Sequence, residues 1–151
     1  MEPLDTWMQL ALDEARRSEQ AGEVPVGAIV ILDGEVIARA HNRTENDGDP
    51  SGHAEIVALR QAAKVVGDWR LDGTTLVATL EPCPMCAGAA ILARVQRVVY
   101  GAPDPRYGAC GSAIDLLTPE LAPHVQRIDR EVCGEECSEL LLAFFRRLRK
   151  R

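Results

Sequence analysis

Apolar residues recur at helical spacing near the start of the chain. Trp7, Met8, Ala11, Leu12 and Ala15 fall on one stripe, which predicts an amphipathic helix over residues 4–21, stopped at Gly22. The pattern then changes period. Residues 24–32 form a continuous apolar run rich in β-branched side chains, as in a buried strand. Asp33-Gly34 is a two-residue hairpin signal, and residues 35–40 make the returning strand. Residues 46–52 are a loop by composition. A helix follows over 53–66, closed by Gly67, then a strand over 74–80 punctuated by Pro82. The remaining expectations are a helix over 83–93, a short strand over 97–101, a turn-rich loop over 104–112, a weak strand over 124–128 and a final helix over 134–147.

Helices alternating with buried strands suggest a sheet covered on both faces. The expected fold is α/β: a three-layer α/β/α sandwich around a mixed sheet of about five strands. The 151 residues, with no repeat and no obvious linker, suit one domain over 1–151. Hydrophobic residues at 46% can supply a core, and aromatics at 4% mean that aliphatic side chains must build it. The longest uncharged apolar stretch, 82–93, is shorter than the roughly 18 residues of a membrane span. The N-terminus is acidic where a signal peptide is basic, so the expected compartment is a reducing cytoplasm. Five cysteines there read as metal ligands or buried thiols before disulfides. The net charge of −6 hides a basic end: five of the last six residues, 146–151, are Arg or Lys. Such a tail suits a phosphate backbone, or equally the negative end of a helix dipole.

Chemistry concentrates at two points. Cys83-Pro84-Met85-Cys86 is a C-x-x-C at a predicted helix start, where both sulfurs face one side and unpaired N–H groups favour thiolates. His53 stands at another predicted helix start. One imidazole and two thiolates suit a tetrahedral Zn²⁺ whose fourth position stays open, the catalytic rather than the structural arrangement. Glu55, two residues after His53, is the candidate proton carrier. His53-Ala54-Glu55 with Pro82-Cys83-Pro84-Met85-Cys86 matches the H-x-E…P-C-x-x-C signature of zinc nucleobase deaminases. Other readings exist for the parts. A C-x-x-C also serves redox chemistry, which leaves His53 and Glu55 without a role. Cys110, Cys133, Cys137, His41 and His124 are available to close a structural zinc site, and Glu55 could simply favour a helix dipole.

Further blocks surround the signature. They are Glu23-Val24-Pro25-Val26-Gly27-Ala28, His53 through Arg60, Thr79 through Ala89, Tyr100-Gly101-Ala102 with Asp104, Gly108-Ala109 with Gly111-Ser112, Glu136-Cys137 and Phe144-Phe145-Arg146. Together they resemble the bacterial tRNA-specific adenosine deaminases, a family of the cytidine/deoxycytidylate deaminase-like zinc deaminases, over nearly the whole chain. The zinc motif is common to relatives acting on cytosine or guanine. The loop around Asp104 and the Phe-Phe-Arg ending are more particular to the tRNA enzymes.

The resemblance implies a cytidine deaminase-like fold and hydrolysis of the wobble adenosine of a tRNA anticodon loop to inosine, with release of ammonia. It implies one Zn²⁺ per subunit on His53, Cys83 and Cys86, with Glu55 as proton shuttle. Asn42 corresponds to a contact with the flipped nucleotide, Val26 to one wall of the base pocket and Asp104 to an acidic neighbour of the target. Ala54 and Pro82, inside the two motif halves, also fall on the substrate side. The implied partners are the tRNA anticodon stem-loop and a second copy of the chain, with no membrane. From the residues alone, Asn42 and Asp104 could instead be turn formers bonding nearby backbone, and Tyr107 is either a stacking partner for RNA or an ordinary exposed tyrosine. The alternative activity is deamination of free nucleobases or nucleosides of the guanine or cytosine type. A non-catalytic zinc-binding partner subunit is a third reading, which the presence of Glu55 argues against.

Overall fold

The computed structural model describes residues 3–150. Helix α1 (Leu4–Gln20) leads into strands β1 (Gly27–Leu32) and β2 (Glu35–His41), then a single turn of helix, α2 (Thr44–Asp47). Helix α3 (Ala54–Val66), strand β3 (Thr74–Leu80), helix α4 (Pro84–Leu92) and strand β4 (Arg97–Ala102) follow. The chain ends with β5 (Arg127–Asp129) and α5 (Gly134–Arg149). The strands form one five-stranded sheet in the order β2-β1-β3-β4-β5. β1 runs antiparallel to β2 and β3, whereas β3, β4 and β5 are parallel, so the sheet is mixed.

Alternation along the strands divides the core in two. Ile29, Ile31, Val77 and Val99 pack with Met8 and Leu12 of α1 and Cys137 of α5. Ala28, Val30, Leu76, Ala78 and Val98 face the other way, onto Ala54, Ala58 and Ala62 of α3 and Ala87 and Ala90 of α4. Small alanines let these helices lie close to the sheet. Gly27 takes this furthest on the α1 face, where a Cβ would meet the Ala11 carbonyl oxygen at 2.1 Å.

The β1–β2 hairpin turns at Asp33 and Gly34, whose φ values of 52° and 78° are those of a type I′ turn. Three expectations need correction. The apolar run from Val24 becomes strand only at Gly27. Pro25 has no N–H for a ladder, and the Val26 N–H turns back to the Val24 carbonyl at 2.8 Å. The loop expected over 46–52 begins inside α2, a turn of helix whose N–H groups are held by the distant Glu23. The last strand is β5, shifted to 127–129 by pairing with Arg97, Val98 and Val99 of β4.

β3 and β4 end together at Leu80 and Ala102. The N-termini of α3 and α4 carry His53 and Cys83 as their first flanking residues. In open α/β sheets, ligands bind outside such carboxyl ends.

Candidate active site

His53 and Cys83 precede their helices in extended conformation, with φ, ψ of −70°, 148° and −73°, 175°. Each side chain is therefore free of the helical pitch and can turn toward the other helix start. His53 Nδ1 lies 3.5 Å from the sulfur of Cys83 and 3.5 Å from that of Cys86. The three donor atoms all lie within 4.8 Å of one another. Among the described residues no other cluster of this kind occurs. Cys110 and Cys137 are buried thiols elsewhere in the core, so neither closes the His53 site.

The donor set fits zinc. A tetrahedral zinc with Zn–N of about 2.0 Å and Zn–S of about 2.3 Å separates nitrogen from sulfur by about 3.5 Å, the spacing found here. The titrating groups agree in direction. The hydrogen bond with the Cys86 thiol, opposed by burial and aided by His53, pulls the Cys83 thiol down to about 4. Cys86 is pushed up, because it donates to Cys83 and is buried, so Cys83 is the thiol that ionises first. The His53 ring is raised, foremost by its hydrogen bond with Cys83.

Glu55 lies in the first turn of α3 and is 4% exposed. Burial pushes its carboxyl up to about 7, against the lowering effects of backbone N–H and His53. Glu55, His53 and Cys83 border a cavity of about 560 Å³, and Cys86 lies buried behind them. Val24, Val26, Asn42 and Thr44 make one side of it, and Leu80, Glu81, Met85, Asp104 and Tyr107 contribute elsewhere.

The structure thus brings Val26, Asn42 and Asp104 to the same cavity as Glu55. Ala54 is fully buried in the core on the α3 face, and Pro82 is buried with its carbonyl accepting the Ala109 N–H; neither borders the cavity. Asn42 donates through Nδ2 to Thr44 Oγ1 at 3.4 Å. Asp104 shapes its own loop: one carboxylate oxygen accepts the N–H groups of Arg106 and Tyr107 at 3.0 and 3.1 Å. Tyr107 is 56% exposed, at the cavity with the Arg106 guanidinium 5.0 Å from its ring centre.

Two buried carboxylates, Glu81 in the cavity wall and Glu23 outside the lining, escaped the sequence reading. Glu23 accepts the N–H groups of Glu45 and Asn46 at 3.1 and 2.6 Å, the Asn46 side-chain amide and the Thr44 hydroxyl. Glu81 accepts the N–H groups of Asp104, Cys110 and Ser112 and the Ser112 hydroxyl. Burial raises both carboxyls, yet these hydrogen bonds leave both below the ordinary glutamate value. The available signal was only an acidic residue beside a strand or motif, which is common on protein surfaces.

This fold and this site define a class. Residues 1–102 match the cytidine and deoxycytidylate deaminase zinc-binding region, and the chain belongs to that family. Within it, the chain is 48% identical over 147 residues to the tRNA-specific adenosine deaminase of Bacillus subtilis (strain 168), covering 97% of this chain and 91% of that protein. A structure from work on A-to-I editing by tRNA:A34 deaminases at the wobble position of transfer RNA superposes with a TM-score of 0.84 at 43% identity, covering 90% of this chain and 99% of the other. Guanine deaminase from Bacillus subtilis is more distant in shape, with a TM-score of 0.64 at 32% identity, covering 82% of this chain and 91% of the other.

Proposed function

We propose that this chain, as a single deaminase domain, hydrolyses the wobble adenosine of a tRNA anticodon loop to inosine and releases ammonia. The observation that carries the proposal is the cluster of His53, Cys83 and Cys86 at a cavity of about 560 Å³ that His53, Cys83 and the buried Glu55 line together. The high similarity to tRNA-specific adenosine deaminases supports the choice of substrate.

His53, Cys83 and Cys86 are the residues that hold the metal, one Zn²⁺ per subunit. A zinc ion on this donor set supplies Lewis acidity that makes water nucleophilic near neutral pH. Glu55 accepts the proton of the attacking water and delivers it to the ring nitrogen of the adenine. It then takes the proton of the new C6 hydroxyl and delivers it to the amino group, so the C6–N bond breaks as the C6=O carbonyl forms and ammonia leaves. One carboxyl serves throughout, because each transfer returns it to the state that the next requires, and a proton affinity near neutrality suits both directions. Val26 and Asn42 hold one side of the flipped base, and Asp104 lies beside it. Ala54 and Pro82 directly precede Glu55 and Cys83 in the chain and are buried outside the cavity lining.

RNA is met by splayed loop bases and phosphates. Arg147 pairs with Glu19 near the end of α1, from which the chain runs through Glu23 to the Val24 side of the cavity. Arg146 pairs with Glu139 at 2.7 Å, while Arg149 and Lys150 stand exposed in or beside the last turn of α5. Arg151, the last basic residue of the tail, lies outside the described residues. The basic end thus serves the helix dipole and offers cations to phosphates at once. A homodimer in the cytoplasm completes the reading. Met85 and Leu92 are exposed on the uncharged α4, apolar surface for a second copy to cover. No helix among the described residues is long and apolar enough to cross a membrane.

The test is to incubate the protein with an anticodon stem-loop bearing adenosine at the wobble position and, separately, with adenosine, guanine and cytosine. Inosine and ammonia from the stem-loop are expected. Ammonia from the free bases or the nucleoside alone transfers the assignment to the small-molecule deaminases.

A further inference from the structure

We propose that Glu81 is a positioning residue that clamps the loop carrying Asp104 and Tyr107 onto the segment carrying Cys83, setting the cavity wall before RNA arrives. The proposal rests on the tRNA deaminase reading for its substrate, and on the geometry alone for the clamp.

Glu81 is 2% exposed and follows β3 directly, two positions before Cys83. Its own N–H donates to the Ala102 carbonyl at 2.8 Å, which anchors it to the end of β4. One carboxylate oxygen accepts the Asp104 N–H at 3.1 Å and the Ser112 hydroxyl at 2.5 Å. The other accepts the N–H groups of Cys110 and Ser112 at 2.9 and 3.1 Å. The loop from 104 to 112 therefore folds around a single side chain that touches its start and its finish. The neighbouring Pro82 carbonyl adds a fifth bond to this segment, from the Ala109 N–H at 2.9 Å. Gly108 makes the approach possible: a Cβ there would lie 2.4 Å from Glu81 Cδ and 2.5 Å from the Asp104 carbonyl oxygen.

A carboxylate accepts with both oxygens, whereas a glutamine amide has one accepting oxygen and an NH₂ that faces donors. The arrangement thus favours an anion, and glutamine at 81 sets its NH₂ against the Asp104 N–H in one orientation and against the N–H groups of Cys110 and Ser112 in the other. Preorganisation of this kind removes the ordering cost from the binding step. Its loss should weaken capture of the RNA more than the chemistry at Glu55.

The experiment compares wild type with Glu81→Gln, both loaded with zinc, on the wobble-adenosine stem-loop, and follows amide hydrogen exchange over 104–112. In the variant KM should rise about tenfold with kcat within about threefold, at equal zinc content. Exchange at Asp104, Cys110 and Ser112 should quicken by about tenfold or more, while β1 and β3 stay protected. Unchanged loop exchange overturns the clamp. An unchanged KM, or a fall in kcat alone, overturns the positioning role. If Glu81→Gln does not fold, Ser112→Ala removes one donor at an exposed position and should raise KM and loop exchange by about threefold; no change in either overturns the proposal. A wild type inactive on the stem-loop counts against the substrate reading, and the exchange measurement still decides on the clamp.

Discussion

Residues two apart in a helix point to opposite sides, so His53 and Glu55 should not share a site. They share it because His53 is not helical: its extended backbone lies just ahead of α3, and only Glu55 obeys the helical pitch. The same offset lets Cys83, ahead of α4, meet Cys86 in its first turn. Different consequences follow for the two kinds of group. Glu55→Gln keeps the shape of the side chain and removes its proton transfer, so turnover should fall about 10²–10⁴-fold. Metal analysis should find zinc content unchanged; a variant that makes inosine at the wild-type rate removes Glu55 from the chemistry. Cys83→Ala deletes a metal-binding sulfur and should yield protein with little zinc, so full occupancy by elemental analysis rejects the ligand assignment.

Close contact between α1 and the sheet depends on glycine at 27. An alanine there drives a methyl group into the Ala11 carbonyl and the backbone of Ala15, which belong to a helix and cannot give way independently. Gly27→Ala should therefore destabilise the protein by about 1–3 kcal/mol, read as a lower midpoint in urea. A midpoint equal to wild type shows that α1 can shift without loss. Of the helix starts beside the cavity, that of α4 follows the end of β3 directly, whereas α3 packs chiefly on β1 and β2. α2, by contrast, is a single turn tied down by Glu23. Such a short helix has little intrinsic stability, and this explains why its pattern was invisible in the chain while the longer helices were plain.

Two buried carboxylates link the fold as a whole to pH. Glu23 and Glu81 have native pKa values below their ordinary 4.5, so each binds its proton more readily in the unfolded chain. Their stabilising contribution is complete above 4.5 and is lost as pH falls through the lower native values. The denaturation midpoint should drop with acid below pH 4.5, and Glu23→Gln should be less stable at neutral pH with a shallower acid decline. An acid decline as steep as wild type's would falsify the assignment of that slope to Glu23.

The order of elements, the amphipathic faces, the hairpin at Asp33-Gly34 and the metal-type residues were all legible along the chain, because each is a local pattern of side chains and turns. The sequence alone determined that an imidazole, two thiols and a carboxyl stand at helix starts. Only the tertiary structure decided that Pro25 delays β1, that Ala54 and Pro82 lie outside the cavity, and that Glu23 and Glu81 gather distant backbone N–H groups. A carboxylate buried among such donors looks in sequence like any surface acid. Its partners lie more than twenty residues away and become neighbours only when the sheet brings its strand ends together.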